Sequence, residues 1–111
     1  NEKLSMICSS ISKENFRWHE YLITFPKSKR YTLGELCDRY ILEILECILI
    51  TASDPTQQEK SLITASRKLD MLRLFIRLCK DCDALLNDAY LDLESRLYTI
   101  GKQLGGWLRS V

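Results

Sequence analysis

KSLITASRKLDMLRLFIRLCK, residues 60–80, sets the architecture of the whole chain. At the helical period of about 100° per residue, Leu62, Ala65, Leu69, Leu72, Ile76 and Cys79 share one side. Met71, Leu74, Phe75 and Leu78 carry the apolar surface round the back. The polar remainder is a narrow stripe of Arg73, Arg77 and Lys80, with Ser66 and Asp70 beside it and Arg67 and Lys68 nearby. A helix in a monomeric bundle needs one apolar stripe, whereas one that is apolar nearly all round calls for burial on two sides. One side belongs to its own bundle. The other side belongs to a second copy or to another protein, with the arginines held between. Six of the seven charges in this stretch are positive, yet the whole chain sums to +1, so the remainder is net acidic. The basic charge is placed, not spread.

Around this helix the chain is 111 residues long, 46% hydrophobic and 28% charged, which fits one domain with a core of its own. Four glycines and two prolines leave few breakers and favour long helices. No apolar run approaches the roughly 20 residues needed to span a bilayer. The first residues, NEKLSMICSS, lack the charged-then-apolar design of a secretory leader, so a cytoplasmic protein is expected. The five cysteines, Cys8, Cys37, Cys47, Cys79 and Cys82, are odd in number, and they read as reduced core fillers. Cys79-x-x-Cys82 lacks both a strand–helix context and further ligands, and His19 is far away in sequence, so no metal and no cofactor is expected.

In chain order, Leu4, Ile7, Ile11, Trp18, Tyr21 and Phe25 form one helix face with a gap at Glu14. The first helix is expected over about 3–25, stopping before Pro26. His19 has no predicted partner and reads as a surface or interface side chain. The connector Phe25-Pro-Lys-Ser-Lys-Arg-Tyr31 carries Lys27, Lys29 and Arg30. It is either a solvated loop or a loop that neutralises phosphates while an aromatic packs on sugar or base. Thr32-x-x-Glu35 reads as a capping box, starting a second helix over about 33–53. Its apolar face holds Leu33, Leu36, Cys37, Tyr40, Ile41, Ile44, Leu45, Ile48 and Ala52, while Leu42, Leu49 and Ile50 break its polar side. Asp54-Pro55 caps and starts a third helix over about 55–82. Asn87 is the expected cap of a fourth, over about 88–109. There Leu86, Tyr90, Leu93, Leu97, Ile100, Leu104 and Trp107 alternate four and three apart, a bundle seam. Gly101 and Gly105, each costing about 1 kcal/mol inside a helix, point to a close helix approach. The expected fold is all-α: one domain over residues 1–111, an antiparallel up-down-up-down four-helix bundle.

Three segments, FPKSKRYTLGE, KLDMLRLFIRL and IGKQLGGWLRS, stand in order over about residues 16–110. Together they resemble the accessory variability determinant proteins of diversity-generating retroelements. The LRxxxRL of the third helix and the glycine pair with Trp107 are the most specific parts. The four-helix proteins encoded within intervening sequences of bacterial large ribosomal RNA genes share the architecture and part of the pattern. The retroelement resemblance implies a barrel-like homopentamer that binds a reverse transcriptase and template-repeat RNA or other nucleic acid. It implies support of mutagenic complementary-DNA synthesis with no catalysis of its own. The family's arginine motif falls on Arg73 and Arg77, its basic connector on Lys27, Lys29 and Arg30. The net charge of only +1 departs from a strongly basic binder and shifts weight toward polymerase docking through a local stripe.

Three function classes follow. A non-enzymatic accessory subunit would use Arg73, Arg77, Lys80, Arg67 and Lys68 on acidic side chains or phosphates. It would use Met71, Leu74, Phe75 and Leu78 between copies in a ring. Arg73 and Arg77 can alternatively bridge subunits through acidic second-helix residues such as Glu43 or Glu46. An enzyme would need convergent acid, base or nucleophile. One histidine, no Gly-rich phosphate loop and no Glu-x-x-His argue against that. The third class is a bundle that acts only through protein contacts, with no RNA affinity.

Overall fold

Leu62, Ala65, Leu69, Leu72, Ile76 and Cys79 are all buried, as their spacing predicts. A computed structural model describes residues 2–111. Its long helices are α1 (Glu2–Leu22), α2 (Glu35–Ser53), α3 (Gln58–Asp81) and α4 (Asn87–Arg109), and no strand occurs among the described residues. The molecule measures 42 × 22 × 19 Å, one helix length plus its turns by two helix diameters. α3 packs on α2 and α4, while α1 rests mainly on α4 and less on α2. Trp18, Ile48, Leu62, Ile76, Leu93, Leu97 and Leu104 are among the most deeply buried residues. No described helix is long and apolar enough to cross a membrane.

The first helix stops at Leu22, short of the expected Phe25. The Thr24 hydroxyl donates to the Tyr21 carbonyl at 2.6 Å and closes the last turn. Phe25 then folds back, buried, with its ring edge-on to Trp18 at 5.5 Å. The capping box does not form. Thr32 already lies in helical backbone, and its hydroxyl donates to the carbonyls of Ser28 and Lys29 at 3.0 and 3.3 Å. Helical turns begin at Lys27, directly after Pro26, and widen into a π-helical turn over Arg30–Gly34 that runs straight into α2. Gly34 is buried there, and a Cβ on it would stand 2.5 Å from Leu22 Cδ1, so the wide turn accommodates the end of α1.

Asp54 behaves as the pattern implies: its carboxylate accepts from the Thr56 N–H at 3.0 Å, with Pro55 in the following turn. The Thr56 hydroxyl and amide hold that carboxyl below its usual range. The expected cap at Asn87 is overturned. Asn87 is already helical, and Leu86 precedes it in an extended conformation without a side-chain cap. The turn before it is set by Asp83, whose φ of 62° lets the Ala84 N–H reach the Cys79 carbonyl at 2.9 Å. The seam of α4 is buried from Leu93 to Trp107, while Leu86 is exposed and Tyr90 half-buried. Of the two glycines, Gly101 faces α3: a Cβ there would meet Leu69 Cδ2 at 3.4 Å. Gly105 would meet only Arg109 of its own helix, so the close approach is made at Gly101 alone.

The five cysteines are free thiols, with Cys37, Cys47 and Cys79 buried. A hydrogen bond with Cys79, and then burial, push the Cys37 thiol up, so it packs as an uncharged side chain. No group of His, Cys, Asp and Glu among the described residues is arranged to hold a metal.

Candidate functional site

The side of α3 opposite its buried stripe forms an exposed ridge. Met71, Leu74 and Leu78 stand 40%, 50% and 42% exposed at helical spacing. Phe75 is not part of the open ridge: half-buried, it lies edge-on to Tyr40 of α2 at 5.0 Å. The cations flank the ridge on two sides because helical rotation puts Lys68 toward α2, and Arg73, Arg77 and Lys80 toward α4.

On the α4 side, Arg73 donates to Glu94 through Nε at 2.8 Å and through Nη2 to the same oxygen. The Glu94 hydrogen bond raises the Arg73 pKa further, fixing its charge. Lys80 Nζ sits over the Tyr90 ring at 4.9 Å, a cation–π contact. Between them Asp70, Arg73, Leu74, Arg77, Tyr90 and Glu94 line an open groove. Arg77 is exposed and has no ion pair or hydrogen bond within the chain among the described residues. Its five donors are available to an incoming carboxylate or phosphate.

On the α2 side, Lys68 Nζ pairs with Glu43 Oε2 at 3.2 Å and lies 5.5 Å from the Tyr40 ring centroid. Glu43 is thus bound to an α3 cation of its own chain. Arg73 is engaged by Glu94, an acidic partner in α4 that α3's own pattern does not reveal. Arg67 is exposed on the same helix.

The connector residues divide. Lys27 is exposed and Lys29 half-buried, with Tyr31 58% exposed beside them. Arg30 turns inward and donates to the carbonyls of Ile23 and Phe25 at 3.1 and 3.3 Å, satisfying the end of α1. His19 does have a partner: its Nε2 lies 3.2 Å from Asp38, which also accepts from Trp18 Nε1 at 2.5 Å.

The sequence places Tyr90 in the α4 seam and Glu14 at the gap in α1, and it assigns Glu94 no role. Glu94 and Tyr90 sit four apart at the margin of the α4 seam, a position that only the packing of α4 on α3 turns toward Arg73 and Lys80. Glu14 lies at the gap in α1's apolar spacing and is itself buried, its carboxyl pushed up to about 8, chiefly by burial. The place of that gap, between Ile11 and Trp18, was the available signal.

The sequence pattern of a family described as bAvd-like matches the chain over residues 6–111. Neither the curated proteins nor the solved structures hold a match to it.

Proposed function

The chain belongs to the bAvd-like family, and from that membership we propose that it is a non-catalytic accessory subunit of a diversity-generating retroelement. It docks the reverse transcriptase and the template-repeat RNA during mutagenic complementary-DNA synthesis in the cytoplasm. Its helices run up-down-up-down, antiparallel, and five copies close a ring. Met71, Leu74 and Leu78 face the neighbouring copy, with Phe75 behind them against Tyr40. Arg77, Lys80 and Arg67, with Lys27 and Lys29, form the open part of the partner-binding surface. Arg73 and Lys68 join it by leaving Glu94 and Glu43, while Arg30 stays on the carbonyls at the end of α1.

The observation that carries this reading is the exposed apolar ridge with Arg77 unpaired at its margin. Neighbouring leucine and methionine side chains left half in water favour burial by a second surface, each worth about 1–2 kcal/mol when covered. A net charge of +1, with Arg73 and Lys68 already matched to Glu94 and Glu43, supports docking on a protein ahead of indiscriminate RNA binding.

Light scattering with and without the neighbouring reverse transcriptase tests the reading. The expected result is a ring of five that captures the polymerase. A stable monomer that ignores the polymerase would overturn it. A ring that binds neither polymerase nor RNA would leave a bundle acting through protein contacts alone. In the second arm, Arg77→Ala should keep helicity and oligomer mass while weakening polymerase capture, since one charge-assisted contact is worth about 1.5–3 kcal/mol. Collapse of that variant into monomers would make Arg77 a subunit bridge.

A further inference from the structure

Glu14 occupies a core position of α1: Ile7, Ile11, Glu14 and Trp18 follow four, three and four residues apart, and all four are buried. Its side chain is 1% exposed, and neither carboxyl oxygen has a hydrogen-bond partner. It shares a cavity of about 10 Å³ with Ile11, Ile41, Ile44, Leu72 and Leu97. That space holds at most one water, which would find a single polar partner and so gain little by entering. Ionising a carboxyl in such a place costs its hydration, so below about pH 8 the group is neutral while α1 is docked.

The charged groups that act on it all come from α4. Arg96 favours ionisation, and Asp92 and Glu94 oppose it. Arg96 Nε is itself bonded to Asp92 at 3.2 Å. α2 and α3 turn Ile41, Ile44, Leu69 and Leu72 toward the cavity, none of them titratable.

Strong polar ties of α1 lie beyond Glu14. Tyr21 donates to Asp92 at 2.7 Å, Arg17 lies 3.5 Å from the same carboxylate, and Trp18 and His19 meet Asp38. Ahead of Glu14, the buried anchors are Ile7 and Ile11. The groove under that half contains Gln103, whose Oε1 is buried without a partner.

We propose that Glu14 is a proton-controlled latch: with its carboxyl neutral the first half of α1, residues 2–14, is docked on the bundle, and loss of the proton releases that half while the segment from Arg17 onward stays tied to Asp92 and Asp38. The proton leaves to solvent, and the carboxylate gains water and the field of Arg96. The inference stands apart from the retroelement reading, because it concerns α1 and not the α3 face. The released carboxyl titrates near its ordinary value of 4.5 and the docked one near 8, so the docked state holds the proton more tightly. Docking therefore weakens about tenfold per pH unit as pH rises between those values, and levels off above the upper one.

Hydrogen exchange of the full chain, followed by mass spectrometry from about pH 6 to pH 8, tests this against Glu14→Gln and Glu14→Leu. In the wild type, protection of residues 7–13, corrected for intrinsic exchange, should fall by about fiftyfold. It should also stay below that of residues 17–22 and of α2–α4, which open only with the whole bundle. Both variants should hold that segment level across the range. Residues 7–13 exchanging in step with the rest at every pH would overturn the latch, as would a pH dependence that survives in Glu14→Gln and Glu14→Leu.

Discussion

Arg73 of α3 and Glu94 of α4 meet two-to-one: both Nε, at 2.8 Å, and Nη2 donate to Glu94 Oε1. The other carboxylate oxygen is buried without a partner. The pair therefore joins two helices and at the same time occupies one of the cations at the edge of the exposed ridge. A partner that wants Arg73 must displace Glu94, whereas Arg77 is already free to bind.

That difference predicts a split between two alanine variants. Arg73→Ala leaves a half-buried carboxylate unpaired and should cost about 1–2 kcal/mol. This is the low part of the range for charged hydrogen bonds, because the arginine side chain is 38% exposed. Arg77→Ala should stay within about 0.5 kcal/mol of wild type. Urea unfolding of both variants measures this. Equal losses would mean that Arg77 has a stabilising partner of its own.

Burial of Glu14 makes stability depend on pH in an unusual direction for a carboxylate. Its folded value, about 8, lies above the ordinary carboxyl value of 4.5. The folded state then binds the extra proton, and stability is lost as pH rises through that window. Glu14→Leu should stabilise the chain by on the order of 2–3 kcal/mol near neutral pH. The gain should shrink as pH is lowered to about 4.5, leaving the pH-independent part that comes from replacing an unpartnered neutral carboxyl. Urea midpoints at several pH values decide it, and a gain that does not vary with pH would assign the effect to packing alone.

Gly105 has no helix packed against its open side, only the flexible end of Arg109 at 3.4 Å. Gly105→Ala should therefore recover most of the helix propensity difference, about 0.5–1 kcal/mol. Gly101→Ala should gain less, because Leu69 Cδ2 of α3 must give way at 3.4 Å. Thermal unfolding of the two variants checks this order, and a larger gain at Gly101 would mean that Leu69 does not press on that position.

Asp83 is the single non-glycine residue at positive φ among those described, at 62°. Glycine adopts that conformation without a Cβ clash, so Asp83→Gly should stabilise the turn between α3 and α4. Part of the roughly 1–2 kcal/mol left-handed penalty is returned, less the entropy that glycine adds to the unfolded chain. A net gain of about 0.5 kcal/mol in chemical unfolding is expected. A loss would show that the Asp83 side chain holds the turn through a contact of its own.

Periodicity alone determined the helical class, the buried stripe of α3 and the seam of α4 from Leu93 to Trp107, because side-chain spacing of 3.6 residues is a local property of the chain. The excess apolar surface of Met71, Leu74 and Leu78 was legible for the same reason. Tertiary packing decided the rest. It drew Thr32 into helical backbone and cancelled its cap, folded Arg30 back onto the carbonyls at the end of α1, and set Phe75 against Tyr40. It also brought Glu94 to Arg73 from 21 residues away and closed apolar side chains from all four helices around Glu14. Such pairings depend on how helices rotate and slide against one another, and that relation is carried by no single segment.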